Sequence, residues 1–195
     1  MPAAKFTTDG ILDAAAKETV RRGADVTIGD IARRLGAPTG SIYHRFASRE
    51  ELLVRLWLRS VHRFHAEFLA AGDNADPEQA LLGMAASVAT FTRDHQAEAA
   101  AMTLFRQSRL VRSAPKSCRA EVKNVNVDIH RRLAELAELR YGDPTPRQLA
   151  YVRVATSDGP YGLVRPYIWA ELPDWLPEVI VASSRAVLAL GDRGD

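Results

Sequence analysis

Cysteine is almost absent from this chain. Cys118 is the single thiol among 195 residues, too few for an intramolecular disulfide framework or a cysteine-based zinc site. There is no run of about 18 apolar residues of the kind a membrane-spanning helix needs. The opening residues, MPAAKFTTDG, carry no apolar signal core, so a cytoplasmic location is expected. Neither sign of charge dominates, with a net of +2, and 47% hydrophobic with 26% charged residues describes a soluble globular protein. Internal repeats and low-complexity tracts are lacking. So are a phosphate-cradling glycine loop and a G-x-S-x-G elbow. The histidines His44, His62, His65, His95 and His130 are scattered. His62 and His65 lie one helical turn apart without a nearby third ligand. No catalytic constellation, metal or cofactor is expected.

What is present is concentrated in residues 27–51, TIGDIARRLGAPTGSIYHRFASREE. Thr27-Ile-Gly-Asp30 and Ser48-Arg-Glu-Glu51 both match the capping box, in which a hydroxyl accepts an early helical N–H and an acid three residues later reaches back. Gly36 stands where a short helix must stop, and Pro38 where the next begins. Ile28, Ile31, Ala32 and Leu35 give the first short helix one apolar face; Ile42 and Phe46 do so for the second, residues 37–46, and Leu52, Leu53 and Leu56 for the third. Upstream, Ile11, Leu12, Ala15, Ala16 and Val20 form an amphipathic helix ended by Gly23.

With Ile42 and Phe46 inward, the second helix presents Thr39, Gly40, Ser41, Tyr43, His44 and Arg45. Short polar groups and a glycine permit close approach to base edges and phosphates. Tyr43 and His44 carry donors for phosphate or base, while Thr27 and Arg49 are placed to clamp the backbone on either side. Over residues 26–49, Arg33, Arg34, Arg45 and Arg49 oppose Asp30 alone, an excess of three positive charges where a duplex would lie.

The pattern T-I-x-x-I-A-x-x-L-G-x-x-x-G-S-I-Y-x-x-F-x-S-R-E-E-L, carried from Thr27 to Leu52, resembles the N-terminal domain of the TetR family of bacterial transcriptional repressors. It covers roughly residues 7–55, about a quarter of the chain. The family usually has lysine at the place of Arg49. The resemblance implies an all-α fold: a helix-turn-helix DNA-binding domain over residues 1–50, then a larger helical effector-binding and dimerisation domain over 51–195. It also implies DNA contacts from Thr27, Thr39, Gly40, Ser41, Tyr43, His44, Ser48 and Arg49.

Beyond residue 50, punctuation by proline and glycine predicts helices over 50–71, from Pro77 to about 93, and over 96–109. From 115 to 141, Cys118, Val122, Val125, Ile129, Leu133 and Leu136 share one face, which reads Cys118 as a buried thiol despite the neighbouring Lys116, Arg119 and Lys123. Further helices follow from Pro146 and over 174–190, with Pro160 and Pro166 kinking the former. These last two are apolar on two sides, so one side should meet a partner subunit. The residues assigned to that dimer interface are Tyr161, Val164, Ile168, Val179, Ile180 and Val187; a buried helix in a monomeric core is the alternative.

If the resemblance holds, the larger domain contains an effector pocket. Apolar and aromatic residues with a few polar groups line such sites. The candidates are Trp57, Val61, Phe64, Met84, Phe91, Met102, Phe105, Asn126, His130 and Tyr151, each of which could equally be ordinary core. The expected function is a ligand-responsive repressor, not an enzyme, that binds a palindromic double-stranded operator as a homodimer and is released by a small-molecule effector. The rival readings are an all-α enzyme, or a protein-interaction module, with a DNA-reader-like N-terminus.

Overall fold

Thr7 accepts the Gly10 N–H at 3.0 Å and opens the first helix, Thr8–Arg22 (α1), which Gly23 ends at φ 57. In this computed structural model, which describes residues 6–193, every regular element among the described residues is helical. Packing divides the chain into two units. One comprises Met1–His62 and Gln96–Val125, the other Arg63–His95 and Asn126–Asp195. The first therefore takes in helices well beyond residue 50, where the sequence suggests a functional boundary.

In the first unit, α1 is followed by Ile28–Leu35 (α2), Thr39–Tyr43 (α3) and the opening turns of Arg49–Ala71 (α4). Eight- and five-residue helices do not persist alone in water, since nucleation outweighs so few hydrogen bonds. Here they persist because Ile11, Ile31, Ile42, Leu52 and Leu56 are fully buried in one cluster. Each such side chain contributes about 1.5–3 kcal/mol on leaving water, enough to offset the ordering of a short segment. Gly36 adopts the left-handed conformation (φ 63, ψ 33), with Gly36 N–H on the Arg33 carbonyl and Ala37 N–H on the Ala32 carbonyl at 3.0 Å. That closes a complete Schellman motif and turns the chain into α3.

The predicted 96–109 helix is two helices, Gln96–Met102 (α6) and Gln107–Ser113 (α7). The break has a packing cause. Ala101 and Leu104 join the α1–α4 cluster, Met102 packs against a second cluster built on Val54, Trp57, Leu58 and Val61, and Phe105 touches both. One straight helix could not serve both sides. The Trp57 indole N–H caps the exposed end by donating to the Met102 carbonyl at 3.2 Å.

The predicted 115–141 stripe is likewise divided, into Arg119–Asn124 (α8) and Val127–Tyr141 (α9). Cys118, Val122 and Val125 are buried in the Trp57 cluster of the first unit, and Ile129, Leu133 and Leu136 in the core of the second. Cys118 is the buried free thiol expected.

The second unit holds Pro77–Asp94 (α5), α9, Pro146–Arg153 (α10), Gly159–Val164 (α11) and Leu176–Leu190 (α12), with the end of α4. Asp76 and Thr145 cap α5 and α10, and Thr145 closes a capping box with Gln148. Between α10 and α11, residues Val154–Asp158 widen into a π turn, with the Gly159 N–H reaching the Val154 carbonyl. Pro160, the residue after it, has no N–H to continue an α ladder. A Cβ on Gly159 would lie 2.8 Å from that carbonyl oxygen, so the turn requires glycine. The Ser184 hydroxyl donates to the Ala155 carbonyl at 2.7 Å, which gives this buried hydroxyl its partner.

Candidate nucleic-acid interface

The reading surface is smaller than predicted. Helix α3 spans five residues, with Pro38 in extended conformation as its N-cap and His44 as its C-cap. Ile42 and Phe46 are buried at 0% and 4% exposure and fix it to the core. Thr39, Gly40, Tyr43, His44 and Arg45 face solvent, and Ser41 is half-buried. Tyr43 is 55% exposed. A Cβ built on Gly40 meets nothing within 4 Å, so packing does not require this glycine. Its effect is to keep the outer face of α3 low.

Two expected backbone clamps have other duties. The Thr27 hydroxyl donates to Asp30 Oδ2 at 2.6 Å and accepts the Asp30 N–H at 3.1 Å, while the Thr27 N–H donates to the same carboxylate. Its one O–H donor is thus engaged in the capping box. The Thr27 hydroxyl holds the Asp30 carboxyl down to a pKa of about 2, against the partial desolvation of the site and with help from Arg33 and Arg22. Arg49 donates from Nε to the Val26 carbonyl at 2.6 Å and from Nη2 to the Ala24 carbonyl. Rather than standing free, it ties the start of α4 to the α1–α2 connection. Carbonyls ending the short 3₁₀ turn Gly23–Asp25 lack helical partners, and a guanidinium fork satisfies two of them.

The charge excess is also redistributed by folding. Arg33 pairs with Asp30 at 3.0 Å, and Arg34 pairs with Glu18 of α1 at 2.5 Å. Glu18 is 4% exposed and lies outside the window that seemed unopposed. Arg45 has no ion-pair partner among the described residues.

Ser48 caps α4 by accepting the Glu51 N–H at 3.0 Å, but the return bond goes one residue further back than a capping box requires. Glu51 accepts the Ala47 N–H at 2.9 Å and the Ser117 hydroxyl at 2.6 Å. The Ser117 bond, more than any charge, lowers the Glu51 carboxyl below its usual range. Arg55 continues this network to the Ser117 carbonyl at 3.0 Å and Glu121 at 3.1 Å, and Glu121 also meets His62 at 3.0 Å. Sequence reasoning missed the joint because Glu51 and Ser117 lie 66 residues apart.

The proposed effector residues are divided between the two units. Trp57, Val61, Met102 and Phe105 meet in the first unit. In the second, Phe64 packs edge-on to Phe91 at 5.2 Å, Met84 is fully buried in the core, Asn126 and Tyr151 are half-buried and His130 faces solvent. The Tyr151 hydroxyl accepts from Arg147 at 2.7 Å. A cleft of about 360 Å³ in the first unit takes in none of the ten; its walls include Leu12, Arg45, Phe46, Glu51, Arg55, Arg59, His62 and Glu121.

The interface set divides as well. Tyr161 and Val179 are exposed at 46% and 41%, and Val187 is half-buried. Val164 and Ile180 lie in the protomer's own core and Ile168 is 2% exposed, so their assignment to an outward face is corrected. Helices apolar on two sides bury one of them at home, and the sequence alone did not say which. Leu149, Val154, Trp169, Trp175 and Leu190 are also exposed along this part of the chain.

Residues 11–56 match the family model described as bacterial regulatory proteins, tetR family. No curated protein matches the chain. Among solved structures, it resembles the ketosteroid transcriptional regulator KstR2 of Mycobacterium tuberculosis, at 22% identity over 93% of each chain with a TM-score of 0.67. It resembles the TetR family transcriptional regulator PfmR of Thermus thermophilus at 21% identity, over 92% of this chain and 97% of that one, with a TM-score of 0.69. A Rhodococcus transcriptional regulator reaches a TM-score of 0.71 at 17% identity, over 97% of this chain and 100% of that one.

Proposed function

We propose that this chain, whose residues 11–56 match the model of the tetR family of bacterial regulatory proteins, is a ligand-responsive TetR-type repressor that binds a palindromic operator as a homodimer. One observation carries the reading: a five-residue helix anchored by Ile42 and Phe46 turns Thr39, Gly40, Tyr43 and His44 to solvent. In the major groove, this arrangement would set Tyr43 on a phosphate and Thr39 and His44 on base edges, with Ser41 beside them. Thr27, Ser48 and Arg49 act one step back, holding the helix starts that position α3.

Dimerisation through the exposed face formed by Tyr161, Trp175, Val179 and Leu190 would give the two-fold symmetry that a palindrome requires. Release follows if an effector prefers the conformation whose reading heads are wrongly spaced, by an amount set by its differential affinity. An effector entering the first unit through α4 would meet the apolar side chains of Trp57, Val61, Met102 and Phe105. Such a protein acts in the cytoplasm, where its operator lies.

The test is a mobility-shift titration with DNA from beside its own gene. The wild type should form a salt-sensitive complex, and Tyr43→Ala should weaken it. A wild type with no DNA affinity at any salt concentration overturns the reading.

A further inference from the structure

We infer that the DNA-contacting surface does not end at the helix-turn-helix, and that helices α7 and α8 form a basic arm that contacts backbone phosphates flanking the half-site; this rests on the DNA-binding reading above. Residues 106–124 contain Arg106, Arg109, Arg112, Lys116, Arg119 and Lys123 against the single acid Glu121. That is an excess of five positive charges, in a chain whose whole net is +2. All six cations are exposed.

They are also arrayed in order. Arg109 and Arg112 lie one turn apart on α7 with Arg106 at its N-cap, and Arg119 and Lys123 lie one turn apart on α8 with Lys116 in the connection between the helices. The opposite faces are anchored by Leu110, Ala114, Cys118 and Val122, all buried. The one acid is already engaged, by Arg55 and His62. Among the described residues, none of the six cations has an ion-pair partner, and only Arg119 makes a hydrogen bond, to the Ala114 carbonyl at 3.3 Å. Like charges held together without counter-ions repel one another, and a polyanion relieves that repulsion.

Position selects the polyanion. Ser117 donates to Glu51, and the same carboxylate receives the N–H of Ala47, the residue immediately after the reading segment. One carboxylate therefore joins the arm to the end of the reading head, and Lys116 is the next residue along. A duplex seated on α3 presents its backbone there, with one negative charge per ~1.7 Å of helix axis. By contrast, Arg33 and Arg34 within the helix-turn-helix are paired with Asp30 and Glu18. The free positive charge of this unit lies chiefly on the arm.

The experiment compares wild type with the triple variant Arg112→Gln/Lys116→Gln/Lys123→Gln, whose side chains are exposed and, among the described residues, make no hydrogen bond. Two duplexes are used: the footprinted operator alone, and the operator with about ten base pairs, one helical turn, of flank on each side. Wild type should bind the flanked duplex more tightly, on the order of tenfold, and with a steeper salt dependence. The variant should lose that advantage, its slope of log Kd against log salt becoming shallower by about three per protomer, one for each cation removed. Equal slopes for variant and wild type on both duplexes, while Tyr43→Ala still weakens binding, overturn the arm and leave the reading head standing. Failure of wild type to bind either duplex removes both. A parallel sedimentation with phosphatidylserine vesicles also decides: charge-dependent binding of vesicles without a flank effect on DNA assigns the arm to a membrane surface and overturns the inference.

Discussion

Thr27 and Asp30 close a reciprocal ring at the start of α2, the Thr27 hydroxyl donating to the carboxylate at 2.6 Å and accepting the Asp30 N–H at 3.1 Å. Thr27→Ala should therefore cost about 1 kcal/mol of stability, the usual worth of an N-cap, read as a shift in urea midpoint at unchanged slope. Loss of DNA affinity without loss of stability would return Thr27 to the phosphate contacts.

The same ring sets a pH response. Asp30 titrates at about 2 in the folded chain, below its ordinary value of 3.8. Its contribution is complete above the ordinary value and is lost as pH falls through the folded one. Acid unfolding between about pH 4 and 2 should be less steep for Asp30→Asn than for wild type. Superimposable acid curves would remove Asp30 as a contributor.

Arg49 ties the start of α4 to the α1–α2 connection, so its replacement separates a structural role from a DNA contact. Arg49→Lys restores the residue usual in the family and keeps the charge, but an ammonium cannot fork to the carbonyls of both Ala24 and Val26. The lysine variant should be less stable by about 1 kcal/mol, within the range for a lost hydrogen bond, yet retain DNA affinity at low temperature. Equal stability with weakened binding would make Arg49 a direct phosphate contact.

On the reading surface, Tyr43→Ala should weaken binding to every sequence by a similar factor, as expected of a phosphate contact. His44→Ala and Thr39→Ala should instead change the ranking of operator variants, by about 1–3 kcal/mol at the base each reads. A selection experiment on randomised half-sites, run with each protein, separates the two behaviours.

Inward and outward residues of the last helix should part company. Ile180→Ala removes a fully buried side chain and should cost about 2–5 kcal/mol in thermal unfolding. Val179→Glu, one residue earlier and 41% exposed, should leave protomer stability within about 0.5 kcal/mol but convert dimer to monomer in analytical ultracentrifugation. A monomeric wild type would overturn the dimer proposal at once.

How much was legible in the sequence follows from range. The caps at Thr27, Asp76 and Thr145 bridge two or three residues, and the stop at Gly36 is a local backbone preference, so all of them could be read from neighbouring residues. The Ile42 and Phe46 anchors followed from periodicity. What escaped was decided at a distance. Glu18 neutralises Arg34 from sixteen residues away, and Ser117 reaches Glu51 from sixty-six. The two helix breaks near 103 and 125 escaped for a related reason: periodicity shows that a face is apolar, and not that successive parts of it pack into different clusters.

Only Ile42 and Phe46 commit the reading segment to the protein's own interior. Its exposed side chains have no part in folding the scaffold that carries them. Such a surface can drift through point substitutions without passing through unstable intermediates, so a duplicated copy of this gene could acquire a new operator while its cores stay unchanged. The split between two pegs inside and the polar positions outside is thus a rule about ancestry: relatives should diverge fastest at the exposed positions of the helix and slowest at the two residues buried beneath it.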